Sequence, residues 1–260
     1  MRKKLFVFLI TAIRGYSLYY GSPNLPDTAV EGFFISKDCS FGLKLGYQGD
    51  CVFDKSLSVT NPRIVKSIQQ IHYHMQQGVI TANFIDRFEV FASLGEIQFH
   101  INPRVTSLLY DTFNTGNRFT WGFGGRGILF TFSQAAIGLD FKYQLASPHF
   151  QWITENGVPV HGLGNAKLRY REWQLGLGLS YQSDIFTPYI GATYCQMQGE
   201  YKKLASTILP NHQTHFTMKS RKKFGMAVGT TLSTGKIFEM DLEARLINET
   251  AVSITGNVRF

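Results

Sequence analysis

Beyond its first stretch, the 260-residue sequence has no run of about 18 apolar residues, the length a helix needs to cross a bilayer. Any passage through a membrane must therefore be made by strands. Cysteine is scarce. Cys39, Cys51 and Cys195 are odd in number and show no CxxC spacing, so zinc and thioredoxin-like chemistry find little support. In an oxidising export compartment one disulfide among the three is possible, leaving a thiol for an intermolecular partner; three small residues without a redox role is the other reading. Charge is low at 17%, and no low-complexity tract, solenoid repeat or heptad pattern is present, which excludes a disordered tail, a repeat array and a coiled coil.

The motifs of soluble enzymes are missing too. There is no GxSxG elbow, and Gly122-Phe123-Gly124-Gly125-Arg126-Gly127 lacks the Lys-Ser/Thr and the strand-to-helix setting of a phosphate loop. His72 and His74 form HxH, and His212 and His215 form HxxH, without acidic or cysteine partners for a metal. On a strand HxH places both rings on one face, here expected to be the inner one. No metal and no cofactor is expected.

What is abundant is β-forming. The chain carries 22 Phe, 12 Tyr and 25 Gly, a mixture suited to pleated strands and tight turns rather than helix interiors. The net charge of +8 is concentrated at one end, since Arg2, Lys3, Lys4 and Arg14 supply four of the positive charges. Those residues flank an apolar run from Leu5 to Ile13, followed by small residues at Gly15, Ser17 and Gly21, the layout of a secretory leader. The expected organisation is a signal peptide over 1–22 and one domain over 23–260, with no nucleic-acid partner.

The dominant period is two. Phe41, Leu43, Leu45 and Tyr47 alternate with Gly42, Lys44, Gly46 and Gln48, and Ile137, Leu139, Phe141 and Tyr143 alternate with Gly138, Asp140, Lys142 and Gln144. The same separation recurs over 172–181, 223–232, 238–246 and 252–260. Weaker alternation covers 71–79, 88–100, 119–132 and 186–196. Short connections at 84–87, 133–134, 183–185 and 233–235 alternate with long ones at 54–66, 101–117, 148–165 and 200–215. This spacing predicts an all-β, transmembrane antiparallel barrel of about 10–12 strands, with short periplasmic turns and longer extracellular loops. A soluble β-sandwich would also alternate, but its core would not leave one face of each strand so rich in glycine.

With the apolar faces toward lipid, Lys44, Asp50, Arg126, Asp140, Lys142, Glu172, Lys223, Glu239, Asp241, Glu243, Arg245 and Arg259 are expected to line the lumen. Charges of both signs there suit passage of ions or small polar solutes; equally, they could pair across a narrow interior and close it. Glu239, Asp241 and Glu243 would repel one another unless Arg259 or Lys223 approaches. The last strand ends on Phe260 and is expected to close the sheet against the first strand near Phe41, with Phe260 acting as the signal for the β-barrel assembly machinery.

Several strings occur in an order that resembles one family. They are Gly46-Tyr47-Gln48-Gly49-Asp50 with Val52-Phe53-Asp54, then Asp86-Arg87-Phe88-Glu89-Val90-Phe91 with Leu94-Gly95, then Glu172-Trp173-Gln174 with Leu179-Ser180-Tyr181, and then Phe186-Thr187-Pro188-Tyr189-Ile190-Gly191. Met218-Lys219-Ser220-Arg221-Lys222 with 225–231, and Glu243-Ala244-Arg245-Leu246-Ile247-Asn248-Glu249, complete the series. Across 40–260 the chain resembles the chlamydial major outer membrane protein family of porins, as a divergent, shorter paralogue with trimmed loops. The resemblance implies an outer-membrane barrel, not an enzyme, that acts as a channel, as an envelope scaffold linked by disulfides and as a surface antigen. Its implied partners are outer-membrane lipid, further copies of the chain and disulfide-linked envelope proteins. Only Cys39 falls in a neighbourhood where members carry cysteine. The alternative function is a non-conducting surface or scaffold barrel, whose loop aromatics Tyr110, Phe113, Phe150, Trp152 and Tyr201 would contact partners. A barrel enzyme would have to use Asp111, His212 and His215.

Overall fold

The computed structural model describes residues 18–29, 31–35, 40–60, 67–104, 111–155, 157–160, 165–204 and 214–260. Fifteen strands follow one short 3₁₀ turn at Leu25–Asp27: β1 (Phe41–Lys55), β2 (Leu57–Val59), β3 (Ser67–Phe84), β4 (Phe88–Arg104), β5 (Asp111–Thr115), β6 (Arg118–Phe132), β7 (Ala135–Ala146), β8 (Phe150–Glu155), β9 (Val158–Pro159), β10 (Lys167–Tyr181), β11 (Phe186–Lys202), β12 (Phe216–Ser220), β13 (Phe224–Ser233), β14 (Phe238–Leu246) and β15 (Glu249–Arg259). Ten of them form a closed antiparallel ring in the order β3, β1, β15, β14, β13, β11, β10, β7, β6, β4, with β4 returning to β3. The last strand closes on the first, Arg259 opposite Lys44 and Val258 opposite Leu45. Closure matters because a backbone N–H or C=O left unpaired in hydrocarbon costs several kcal/mol, and a ring has no free edge.

An even strand number places both ends of the barrel chain on one side, the side of the short turns at 85–87, 133–134, 182–185 and 234–237. Around the ring's middle, the side chains that face outward are Leu45, Tyr47, Ile80, Val90, Leu94, Phe123, Leu139, Phe141, Leu175, Leu177, Leu179, Ile190 and Val228, all exposed. This continuous apolar band on the outer wall is the surface a transmembrane barrel presents to lipid.

Toward the long-loop end the sidedness inverts. In β3, Ile71, Tyr73 and Met75 point inward and are fully buried, whereas nearer the turns the inward positions are Thr81 and Asn83 and the outward one is Ile80. In β11 the inward row passes from Thr187 and Thr193 to Met197 and Tyr201, while the outward row passes from Ile190 to Gln196, Gln198 and Glu200. The longest strands, β3, β4 and β11 with 18, 17 and 17 residues, leave the membrane and continue into water, where an apolar interior and a polar exterior are favoured. Phe99, Phe113, Phe150, Leu168, Tyr170, Met197, Tyr201, Phe216 and Met218 fill that extension as one apolar core. β5, β8 and β9 thicken it on one side, and β12 with β2 on another.

The inversion corrects several expectations. His72 and His74 lie on the outer wall beside His100, not in the lumen, because their strand neighbours Ile71, Tyr73 and Met75 take the interior. Phe113, Phe150 and Tyr201 are core residues; Phe150 stacks on Tyr201 at 5.5 Å, and only Trp152 of the described loop aromatics is exposed. Tyr110 lies outside the described residues.

Candidate functional site

Within the membrane band the inward positions carry charged, polar and small residues, and the charges form linked groups. At the turn side Lys44 Nζ lies 2.8 Å from Glu89 Oε1 and 3.1 Å from Glu239 Oε2. Arg126 Nε stands between Glu89 at 3.8 Å and Asp140 at 3.7 Å. Arg259 Nη1 reaches Asp86 in the first turn at 2.6 Å. Farther up, Arg245 Nη1 pairs with Glu243 at 2.8 Å, its Nε with Glu249 at 2.9 Å, and its Nη2 with Asp50 at 3.6 Å. Below the apolar core Lys55 pairs with Glu172 and lies 2.7 Å from Glu249.

Residues 18–29 run through this lumen. Leu18, Tyr19, Tyr20, Leu25 and Ala29 are each no more than 3% exposed. Glu243 accepts the backbone N–H of Tyr20 at 2.8 Å and of Gly21 at 2.7 Å. Lys142 donates to the Tyr19 carbonyl and Arg245 to that of Leu18. Lys44 donates to the Leu25 carbonyl at 2.8 Å, Asn83 to Pro26 at 2.7 Å, Ser233 to Thr28 at 2.6 Å and Arg259 to Ala29 at 2.7 Å. The Thr28 hydroxyl donates to Glu239 at 2.5 Å. The lumen charges thus satisfy an irregular segment, with a 3₁₀ turn at Leu25–Asp27, that has no sheet partner for most of its length.

The fit is steric as well. Tyr20 lies against Gly176, Gly178 and Gly191, where any Cβ would collide with its ring or, at Gly178, its hydroxyl, and Pro23 packs against Gly138 and Gly178. These glycines empty one wall of the lumen, and the segment fills it. The space left beside Tyr19, Lys44, Glu89 and Arg126 is about 20 Å³, enough for a water molecule and no more.

Of the twelve charges expected to line the lumen, Lys44, Asp50, Asp140, Lys142, Glu172, Glu239, Asp241, Glu243, Arg245 and Arg259 are buried inside, and Arg126 reaches inward between its two carboxylates. Lys223 is different: it precedes β13, is exposed, and holds its Nζ 5.9 Å from the Tyr194 ring on the outer wall. The acidic row of β14 is therefore not relieved by Arg259 or Lys223. Lys44 takes Glu239, Arg245 takes Glu243, and Asp241 accepts from Thr231 at 2.6 Å.

Sequence reasoning missed Lys55, Glu89 and Glu249. Lys55 was hidden by the register shift between Val52 and Asp54, which resets the inward parity of β1. Glu89 alternates with the outward Phe88 and Val90, a signal that was available. Glu249 stands four residues after Arg245, across the turn at 247–248.

Cys195 points inward with its thiol 2.6 Å from Glu172 Oε1, whereas Cys51 lies in an outer groove beside His72 and His74, and no disulfide joins them. Cys39 and His212 lie outside the described residues. His215 is exposed, and Asp111 is buried opposite Glu155 in the extension. Of the expected leader over 1–22, residues 1–17 lie outside the described residues, and 18–22 occupy the lumen.

Comparison with known proteins adds the following. Residues 197–260 match the family model described as Chlamydia major outer membrane protein. A major outer membrane porin of Chlamydia pneumoniae is 24% identical, with 85% of each chain covered. The serovar A major outer membrane porin of Chlamydia trachomatis is 22% identical over 387 aligned positions, with 98% of each chain covered. An alignment that much longer than 260 residues means insertions in the relative. An outer membrane channel from Pseudomonas putida F1 superposes with a TM-score of 0.41 at 10% identity, covering 85% of this chain and 96% of that one.

Proposed function

We propose that the protein is a porin-like barrel of a bacterial outer membrane that lets ions or small polar solutes diffuse passively, with residues 18–29 as its internal plug. The observation that carries this reading is the lumen itself. Fixed charges of both signs line it, and a segment held mainly by hydrogen bonds, rather than by strands of the wall, blocks it. The likeness to major outer membrane porins over most of the chain supports the same reading and the outer-membrane location. In this reading the barrel is not an enzyme: the lumen carboxylates Glu89, Glu172, Asp140 and Glu243 are engaged by Lys44, Lys55, Arg126 and Arg245.

Processing has to spare Leu18 for the plug to be complete, and Gly15 and Ser17 provide small residues directly ahead of it. The test is a planar-bilayer recording of the folded, heat-modifiable protein with and without residues 18–29. Rare steps from the full chain and sustained steps from the shortened one are expected. Silence from both, with both folded, would overturn the channel.

The filled lumen is also the observation that favours a second reading, a non-conducting surface or envelope-scaffold barrel. Under it the shortened protein stays silent, and cross-linking in intact envelopes captures neighbouring envelope proteins or copies of the chain.

A further inference from the structure

Where the apolar band ends on the long-loop side, a groove of about 720 Å³ opens on the outer wall across β6, β7 and β10. Its lining includes Phe119, Trp121 and Leu145, which continue the lipid-facing surface, and Arg118, His149 and Arg169, all three exposed. The cations do not stand alone. Along the next strand pair Lys167 faces Lys202, Arg169 faces Glu200 and Arg171 faces Gln198, so four cations share the row with one carboxylate. That carboxylate is engaged by Lys202 at 3.2 Å. Arg171 donates to the Gln198 amide at 3.4 Å.

From this arrangement we infer that the groove binds the headgroup of a phosphorylated, acylated glycolipid of the outer leaflet. Phe119, Trp121 and Leu145 meet its acyl chains, and Arg118 and Arg169 meet its phosphates. The height on the wall decides between ligands. A cation pair sited at the upper edge of an apolar band meets a membrane lipid's phosphate while the chains of that lipid remain in the band. A soluble anion would have no use for the exposed Trp121 and Phe119. Arginine suits the task because its planar fork makes two parallel bonds to phosphate oxygens. The long loops mark this side as the outward-facing leaflet, so the inference rests on the outer-membrane reading above.

The experiment is native mass spectrometry of the folded full-length protein in detergent, offered in turn bisphosphorylated lipid A, fully dephosphorylated lipid A and phosphatidylglycerol. Retention of one bisphosphorylated lipid A is expected, with the other two lost under the same activation. The Arg118→Gln/Arg169→Gln variant is expected to lower that retention by about fivefold for each arginine removed. Equal retention of phosphatidylglycerol would mean a general anionic belt, and equal retention of the dephosphorylated lipid would mean acyl packing alone. Either result, or an unchanged variant, overturns the site. Both substitutions lie outside the lumen, so bilayer recordings on the same preparations read the barrel's own function separately.

Discussion

Glu243 in the barrel wall accepts the backbone N–H of Tyr20 at 2.8 Å, so a residue near the start of the chain is bonded to one near its end. The same carboxylate takes Gly21 N–H at 2.7 Å, the Tyr189 hydroxyl at 2.9 Å and Arg245 at 2.8 Å. Replacing it by alanine leaves two backbone donors and an arginine without this partner. Glu243→Ala is expected to loosen residues 18–29 while the ring stays closed. Bilayer recordings should show open events at least about tenfold more often, the change that roughly 1.4 kcal/mol produces. An unchanged event rate from a heat-modifiable variant would mean that Glu243 does not hold the segment.

Tyr20 can be expelled without touching charge. Gly191 is one of the inward glycines its ring fills, and Gly191→Val places a branched side chain in that space. The expected outcome is the same rise in open events as in Glu243→Ala, but with the wild-type preference between cations and anions retained. Gly49→Val is the matched control, because a Cβ there meets only ordinary contacts near Tyr47 and Ile254. If the two valine variants behave alike, the steric role of Gly191 is refuted.

These glycines show what could be read in the sequence and what could not. The ring was legible where one strand face meets lipid throughout, as in Leu175, Leu177 and Leu179 against Gly176 and Gly178, since period two survives in composition alone. The empty inner face of β10 was legible as missing volume, but not as the seat of Tyr20, because that contact joins residues far apart in the chain. The upper part of β3 misled for a different reason. Ile71, Tyr73 and Met75 keep perfect alternation while turning from a lipid-facing pattern to a core pattern, and alternation does not say which face is inside. Lys55 was lost to a bulge, which no period can anticipate.

Lys55 pairs with Glu172 and Glu249 where the lumen meets the apolar core, and all three are almost fully buried. Removing only the cation strands Glu172 and leaves Glu249 with Arg245 alone, and breaking a buried pair in this way costs about 3–5 kcal/mol. Lys55→Met is expected to lower the temperature at which the folded band converts to the unfolded one on a gel. Lys55→Met/Glu172→Leu should recover part of the loss, since one stranded charge is then gone. A double variant weaker than the single one would contradict this assignment.

Asp111 lies in the extension outside the membrane, buried opposite Glu155 on β8, and receives no hydrogen bond among the described residues. Burial, with Glu155 adding to it, pushes its carboxyl up to about 7. Because the folded value exceeds the unfolded one, the folded state favours the protonated form, and stability falls as pH rises from about 4 toward 7. Thermal unfolding of the purified barrel should therefore show a midpoint a few degrees lower at pH 8 than at pH 5. Asp111→Asn should flatten that difference, and an unaltered pH dependence in the variant would remove Asp111 as its source.

Phe260 sits in the β15–β1 seam, and truncation separates that contact from the assembly role we propose for it. Its N–H donates to the Leu43 carbonyl at 2.8 Å, extending the β15–β1 seam by one bond, and its ring lies 5.9 Å from Phe33 and 6.3 Å from Phe34. Losing one seam bond and one partly buried ring costs a few kcal/mol at most, too little to unfold a ten-stranded ring. A purified chain lacking Phe260 is therefore expected to refold in detergent with a modestly lower transition temperature. We propose that Phe260 is also read by the assembly machinery before the seam exists, and on that proposal the same chain reaches the outer membrane several-fold less in cells. Pulse labelling with membrane fractionation measures the second effect and gel heat-modifiability the first. Normal insertion in cells would leave Phe260 as a seam residue only.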